Sequence, residues 1–168
     1  METFQNKKSL ISGNPSIRIC EDYYQNFFNQ QKKQTKRKER LVFANDYQIF
    51  LWAFLLGYES KVRTPLEGKT NYAFKWDIIE KRFNLSRKII GLLVLFLYEN
   101  DPSKIKSDYQ EIKNENTNES KLSQELRIAF EEFANTGFEI ITQKEFREPG
   151  YLHDGLAIAQ DILGNTED

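Results

Sequence analysis

Asp46-Tyr47-Gln48-Ile49-Phe50-Leu51-Trp52-Ala53-Phe54-Leu55-Leu56-Gly57 (residues 46–57) is the stretch that decides the fold. From Ile49 to Leu56 it holds no polar side chain. A helix apolar on nearly every side belongs in a core. Asn45 or Asp46 can cap its start, because a short side-chain oxygen accepts an otherwise orphaned N–H. Gly57 is expected to end it, since glycine takes the left-handed position past a helix at little steric cost. A charged loop at 61–68 follows, marked by Pro65 and Gly68.

Upstream, Tyr23, Tyr24, Phe27 and Phe28 fall at i, i+1, i+4 and i+5, one face of a helix from about 20 to 31. That helix runs into a basic stretch with Lys32, Lys33, Lys36, Arg37, Lys38 and Arg40 against one acid, Glu39. Leu41, Val42 and Phe43 form a short apolar anchor. Residues 1–17 are polar, broken by Gly13, Asn14 and Pro15, and read as a mobile arm.

Downstream, residues 76–83 read as a short helix and 84–86 as a turn in which Ser86 caps the next helix. That helix, 87–98, is again very apolar. Asp101-Pro102-Ser103 breaks the chain, and 103–120 is polar and charged. The longest helix starts at Ser123 and runs to about 141–144. Its face comprises Leu126, Ile128, Ala129, Phe130, Phe133, Phe138, Ile140 and Ile141, and Ala134-Asn135-Thr136-Gly137 is expected to loosen or break it. After the turn Glu148-Pro149-Gly150, a last helix at 151–163 packs through Leu152, Leu156, Ile158, Ala159 and Ile162. No segment alternates with period two for long. The expectation is all-α: a single compact domain of about five to six helices over residues 18–168. A minor short strand pair is expected near 17–19, 40–43 or 62–64.

The bulk numbers agree. The 168 residues include 13 Phe and 8 Tyr, too many aromatics for a disordered chain. At 19.9 kDa, with 29% charged residues and mean hydropathy −0.65, the chain reads as one soluble domain. The longest apolar run, 89–98, is half of the ~20 residues that cross a bilayer. No apolar segment near the start reads as a secretory leader. One cysteine, Cys20, makes no internal disulfide, and with one histidine, His153, no Cys/His metal cluster forms. A reduced, cytoplasmic setting, no membrane contact, no metal and no cofactor are expected. Charge is uneven: residues 1–106 carry 19 Lys and Arg against 11 Asp and Glu, while 107–168 carry 5 against 14. That is either plain surface statistics or one basic face for an anionic partner.

Four patterns bear on chemistry. His153-Asp154 lacks the further histidines that a metal phosphohydrolase doublet needs, which leaves a surface or capping histidine. Asp108, followed by Glu111-Ile112-Lys113, matches a Mg²⁺-dependent nuclease on paper, with carboxylates for the metal and lysine for developing charge. That pattern belongs on paired strands, and this stretch reads as helix or loop. Residues 76–97 have the outline of a helix-turn-helix regulator, but beyond Lys88 the second helix offers no polar reading face. A buried hairpin is the simpler account. No glycine loop for phosphate exists. The basic run is the strongest binding signal: Lys32, Lys33, Lys36, Arg37, Lys38 and Arg40 can neutralise phosphates without fixed geometry, or dock on an acidic protein, or lie solvated.

LVFANDYQIFLWAFLLGYESKVRTPLEG (41–68) resembles the core of the small proteins associated with bacterial DNA phosphorothioation (Dnd) systems. The matching positions are Phe43, Asp46, Phe54, Leu56, Gly57, Tyr58, Arg63, Pro65 and Leu66. EEFANTGFEII (131–141) and HDGLAIAQDIL (153–163) are similar to two later helices of that family. The chain departs from the pattern in the basic stretch 30–40, in the apolar helix 87–98 and in 107–120. Related small helical subunits accompany ATPase-based phage-defence complexes. The resemblance implies an antiviral-defence or restriction context and transfers no catalytic residue. The expected function is a non-catalytic subunit, not an enzyme, that binds a larger ATPase or nuclease partner and non-specific DNA. The nuclease of Asp108, Glu111 and Lys113 and the helix-turn-helix regulator are the alternatives.

Overall fold

The computed structural model describes residues 10, 11, 13–29, 43, 45–99, 103 and 121–163. In chain order it contains β1 (Ser16–Cys20), a helical turn α1 (Glu21–Tyr23) that passes into a π-helical segment (Tyr24–Asn29), α2 (Asp46–Ser60) and β2 (Thr70–Lys75). Then come α3 (Asp77–Phe83), α4 (Ser86–Tyr98), α5 (Lys121–Arg147), a 3-10 turn (Tyr151–His153) and α6 (Gly155–Leu163). Among the described residues there are thus six helices and one two-stranded antiparallel sheet, β1 with β2. The fold is mostly α with a minor strand pair, as expected.

The strand partner differs from the expected ones. Residues 17–19 do form a strand, with Ile17 and Ile19 buried on one side. They pair with Thr70–Lys75, while 62–64 is an irregular loop and 40–42 lies outside the described residues. The partner strand, TNYAFK, buries only Phe74, so it carries no alternation for the eye to find.

The chain sorts into two units: Met1–Ile17 with Phe74–Phe130, and Arg18–Ala73 with Glu131–Asp168. In the first, Trp76 and Phe130 meet edge to face at 5.4 Å. Ile79, Ile89, Leu93, Leu126 and Ala129 are buried as well. The expected mobile arm is held at its described end. Ile11 is buried, the Pro15 carbonyl accepts from the Trp76 N–H, and the Asn14 side chain accepts from the Asp77 N–H at the start of α3. Asn84 closes α3 in the left-handed conformation, at φ 50°. Ser86 is the first residue of α4 and is itself buried, so the expected cap falls one residue late; Leu85 precedes the helix. Helix α4 buries only one face, through Ile89, Ile90, Leu93 and Tyr98, and leaves Leu95 67% exposed. The buried hairpin is therefore half right.

In the second unit, α2 does form a core helix. Trp52, Ala53 and Phe54 are buried, and Gln48 accepts from the Asn45 N–H in the return half of a capping box. Gly57 does not end it. The helix continues to Ser60, and Lys61, at φ 59°, takes the left-handed position. Nor does α5 break at 134–137. The two corrections have one cause. A Cβ on Gly57 would lie 1.8 Å from the Phe133 carbonyl oxygen, and one on Gly137 would lie 1.7 Å from that of Ala53. These glycines let the backbones of α2 and α5 touch, which is a packing role and not a terminating one. Phe138 of α5 then collects an aromatic cluster: Tyr23 and Phe27 stack on it at 5.5 and 5.4 Å, and Phe50 meets its edge at 5.7 Å.

Candidate functional site

Helix α5 uses each residue from 131 to 138 for packing or bonding. Glu131 is fully buried at its side chain and accepts from Arg18 three times, from the backbone N–H at 3.0 Å, Nε at 3.1 Å and Nη2 at 2.8 Å. A buried carboxylate is stable only when charge and lone pairs are met, and this fork meets them. Glu132 pairs with Arg63 at 2.6 Å. Phe133 meets Phe54 and Tyr58. Asn135 Nδ2 donates to the Thr64 and Pro65 carbonyls, and Thr136 Oγ1 accepts from the Thr64 N–H. The loop after α2 is thus fastened to α5 by side chains that look like helix breakers in the sequence.

The dent bordered here by Arg18, Phe50, Glu131, Asn135 and Phe138 has no room even for a water-sized molecule. Small-molecule pockets start at about 300 Å³. The dent belongs to the clamp, and Glu131 is spent on Arg18.

The second constellation joins the end of α5 to α6. Lys144 Nζ donates to both oxygens of Asp161, at 2.8 and 2.7 Å. Tyr151 donates to Asp161 Oδ2 at 2.6 Å, and Lys144 lies over the Tyr151 ring. Burial first, and this hydrogen bond second, raise the Tyr151 phenol well above its ordinary value. Glu145 accepts from the Gly150 and Leu152 N–H groups, and Asp154 caps α6 by accepting from those of Leu156 and Ala157. The turn is braced at four points, yet it displays Phe146 at 87% exposure and Leu156 at 69%. Leu156 was expected on the packing face. The chain from 151 to 153 is a 3-10 turn and not the start of the helix, which rotates Leu156 outward and Ile158 inward. Among the described residues Phe146 and Leu156 are the two most exposed large apolar side chains.

The expected site residues are distributed as follows. Lys32, Lys33, Lys36, Arg37, Lys38 and Arg40 lie outside the described residues, as do Asp108, Glu111 and Lys113. His153 is exposed on the 3-10 turn. Burial raises the Cys20 thiol, which keeps it protonated and unreactive at neutral pH. Among the described residues no three His, Cys, Asp or Glu side chains converge as metal ligands, and no helix is long and apolar enough to cross a membrane. Sequence reasoning missed Arg18–Glu131 and Lys144–Asp161, because nothing local marks partners 113 and 17 residues apart. Compared with family models, curated proteins and solved structures, the chain gives no match.

Proposed function

We propose that this chain is a non-catalytic subunit of a bacterial anti-phage or restriction system, and that it acts by binding a larger ATPase or nuclease. The observation that carries this reading is the braced α5–α6 turn with Phe146 and Leu156 outermost. Bracing fixes two apolar side chains in water, where burial against a partner would contribute about 25 cal/mol per Å² of apolar surface. The acidic balance of residues 107–168 gives that partner a charge to complement. The defence context comes from the resemblance at 41–66, 131–141 and 153–163. In those stretches the residues that carry it, Gly57, Arg63, Asn135 and Gly137 among them, serve packing and not chemistry.

Contact with DNA through the basic run 32–40 belongs to the same proposal, as a salt-sensitive and sequence-blind accessory. The test is co-expression with the products of the neighbouring genes, followed by purification through a tag on this chain. A complex of fixed stoichiometry with an ATPase or nuclease is expected. Purification of the chain free of every neighbour would overturn the reading, and so would nicking of plasmid by the isolated chain with Mg²⁺.

A further inference from the structure

Helix α4 carries a glycine that the fold does not use. Of the described glycines inside helices α2, α4 and α5, Gly57 and Gly137 are explained by backbones in contact. Gly91 is not: a Cβ there meets nothing within 4 Å, and the residue is exposed. Glycine weakens an exposed helix interior relative to alanine, so the position lacks an internal reason. One turn further, Leu95 is 67% exposed. Lys88, Gly91, Leu92, Leu95 and Glu99 recur at helical spacing on one stripe. Its ends carry opposite charge, and both charged residues are exposed.

We propose that this stripe is a self-association surface on which α4 of a second copy of this chain lies antiparallel. The stripe is its own complement in that direction. A two-fold axis between Leu92 and Leu95 sets Lys88 opposite Glu99 of the second copy and seats Leu95 against the notch at Gly91. The reciprocal pairs form at the other end, as an isologous contact requires. A parallel pairing would oppose lysine to lysine and glutamate to glutamate. The stripe spans about 16 Å at the helical rise, so one crossing buries less than the ~1,200 Å² of a standard stable interface. The dimer is therefore a concentration-dependent one. It needs neither the α5–α6 surface nor a defence partner.

Sedimentation velocity of the full chain over a range of low to high micromolar concentration tests the proposal, with circular dichroism on every variant to confirm the fold. The wild type is expected to pass from monomer to dimer. Lys88→Glu alone and Glu99→Lys alone should each weaken dimerisation by about tenfold or more, by placing like charges opposite one another. An equimolar mixture of the two variants should dimerise as the wild type does, because each supplies what the other lacks. Gly91→Gln should weaken dimerisation without loss of helix. A chain monomeric throughout, a mixture no stronger than either variant alone, or a dimer indifferent to both charges and to Gly91 would overturn it.

Discussion

A methyl group on residue 57 would lie 1.8 Å from a backbone oxygen, and backbone does not step aside as a flexible side chain does. Helix propensity alone says that Gly57→Ala gains about 0.5–1 kcal/mol. The contact with Phe133 reverses the sign. Thermal and denaturant unfolding should show Gly57→Ala and Gly137→Ala losing about 3 kcal/mol or more, at the upper end of overpacking costs. Gly91→Ala, with open space around it, should gain about 0.5–1 kcal/mol in the monomer. Tyr151 gives a pH prediction. Its phenol is held above its ordinary value of 10, by burial first and then by the bond to Asp161. The unfolded chain therefore releases this proton at lower pH than the folded one. The contribution is whole below pH 10 and is lost as pH rises beyond it. Tyr151→Phe should cost about 1.5–3 kcal/mol at pH 7, the usual worth of a hydrogen bond to a charged acceptor. Its denaturation midpoint should then fall less steeply above pH 10 than that of the wild type. At this scale the sequence is a poor guide to glycine. It shows that a residue can turn left-handed, but the oxygen that forbids a side chain at 57 belongs to residue 133.

Elements were legible where the signal was local. The apolar run at 49–56 is a core helix, the polar Asn45 begins it, and the 76–83 and 87–98 helices lie within a residue of their expected bounds. What failed was long-range. Ala134-Asn135-Thr136-Gly137 reads as a breaker because Asn135, Thr136 and Gly137 in a row each disfavour a helix in isolation. Here Asn135 and Thr136 hold the loop at 62–65, Gly137 admits α2, and the helix persists on tertiary contacts. The strand pair was half visible for the same reason: β1 alternates and β2 does not. The clamp has a direct readout, since the loop holds trypsin sites at Lys61 and Arg63. Asn135→Ala strands two carbonyls at a cost of about 1–3 kcal/mol. Limited trypsin digestion should cut Asn135→Ala and Thr136→Val at 61 or 63 several-fold faster than the wild type. Equal rates would mean that the loop is held by something else. Leu156 could not have been ranked as exposed from sequence, because it occupies a position that a simple amphipathic helix would bury, whereas Phe146 falls opposite the buried stripe of α5.

At the scale of the whole molecule, charge and exposed apolar surface are what remain for function. The basic run 32–40 predicts a salt-dependent affinity for duplex DNA, with a slope of log affinity against log salt of about −0.9 per phosphate contact. Six cations set a limit near −5. Replacing all six with Ser or Gln should flatten that slope with the melting temperature unchanged, and gel shifts identical to wild type would remove DNA from the account. Protein docking is the central claim, and it rests on the braced turn. Its most direct test is the affinity between this chain and the ATPase or nuclease that the proposal expects among the products of the neighbouring genes, measured by calorimetry for the wild type and for Phe146→Ser/Leu156→Ser. Both side chains are exposed, so the double variant should melt with the wild type. Loss of two apolar anchors should weaken binding at least tenfold, or about 1.4 kcal/mol. Equal affinity of the two proteins for that partner would contradict the account.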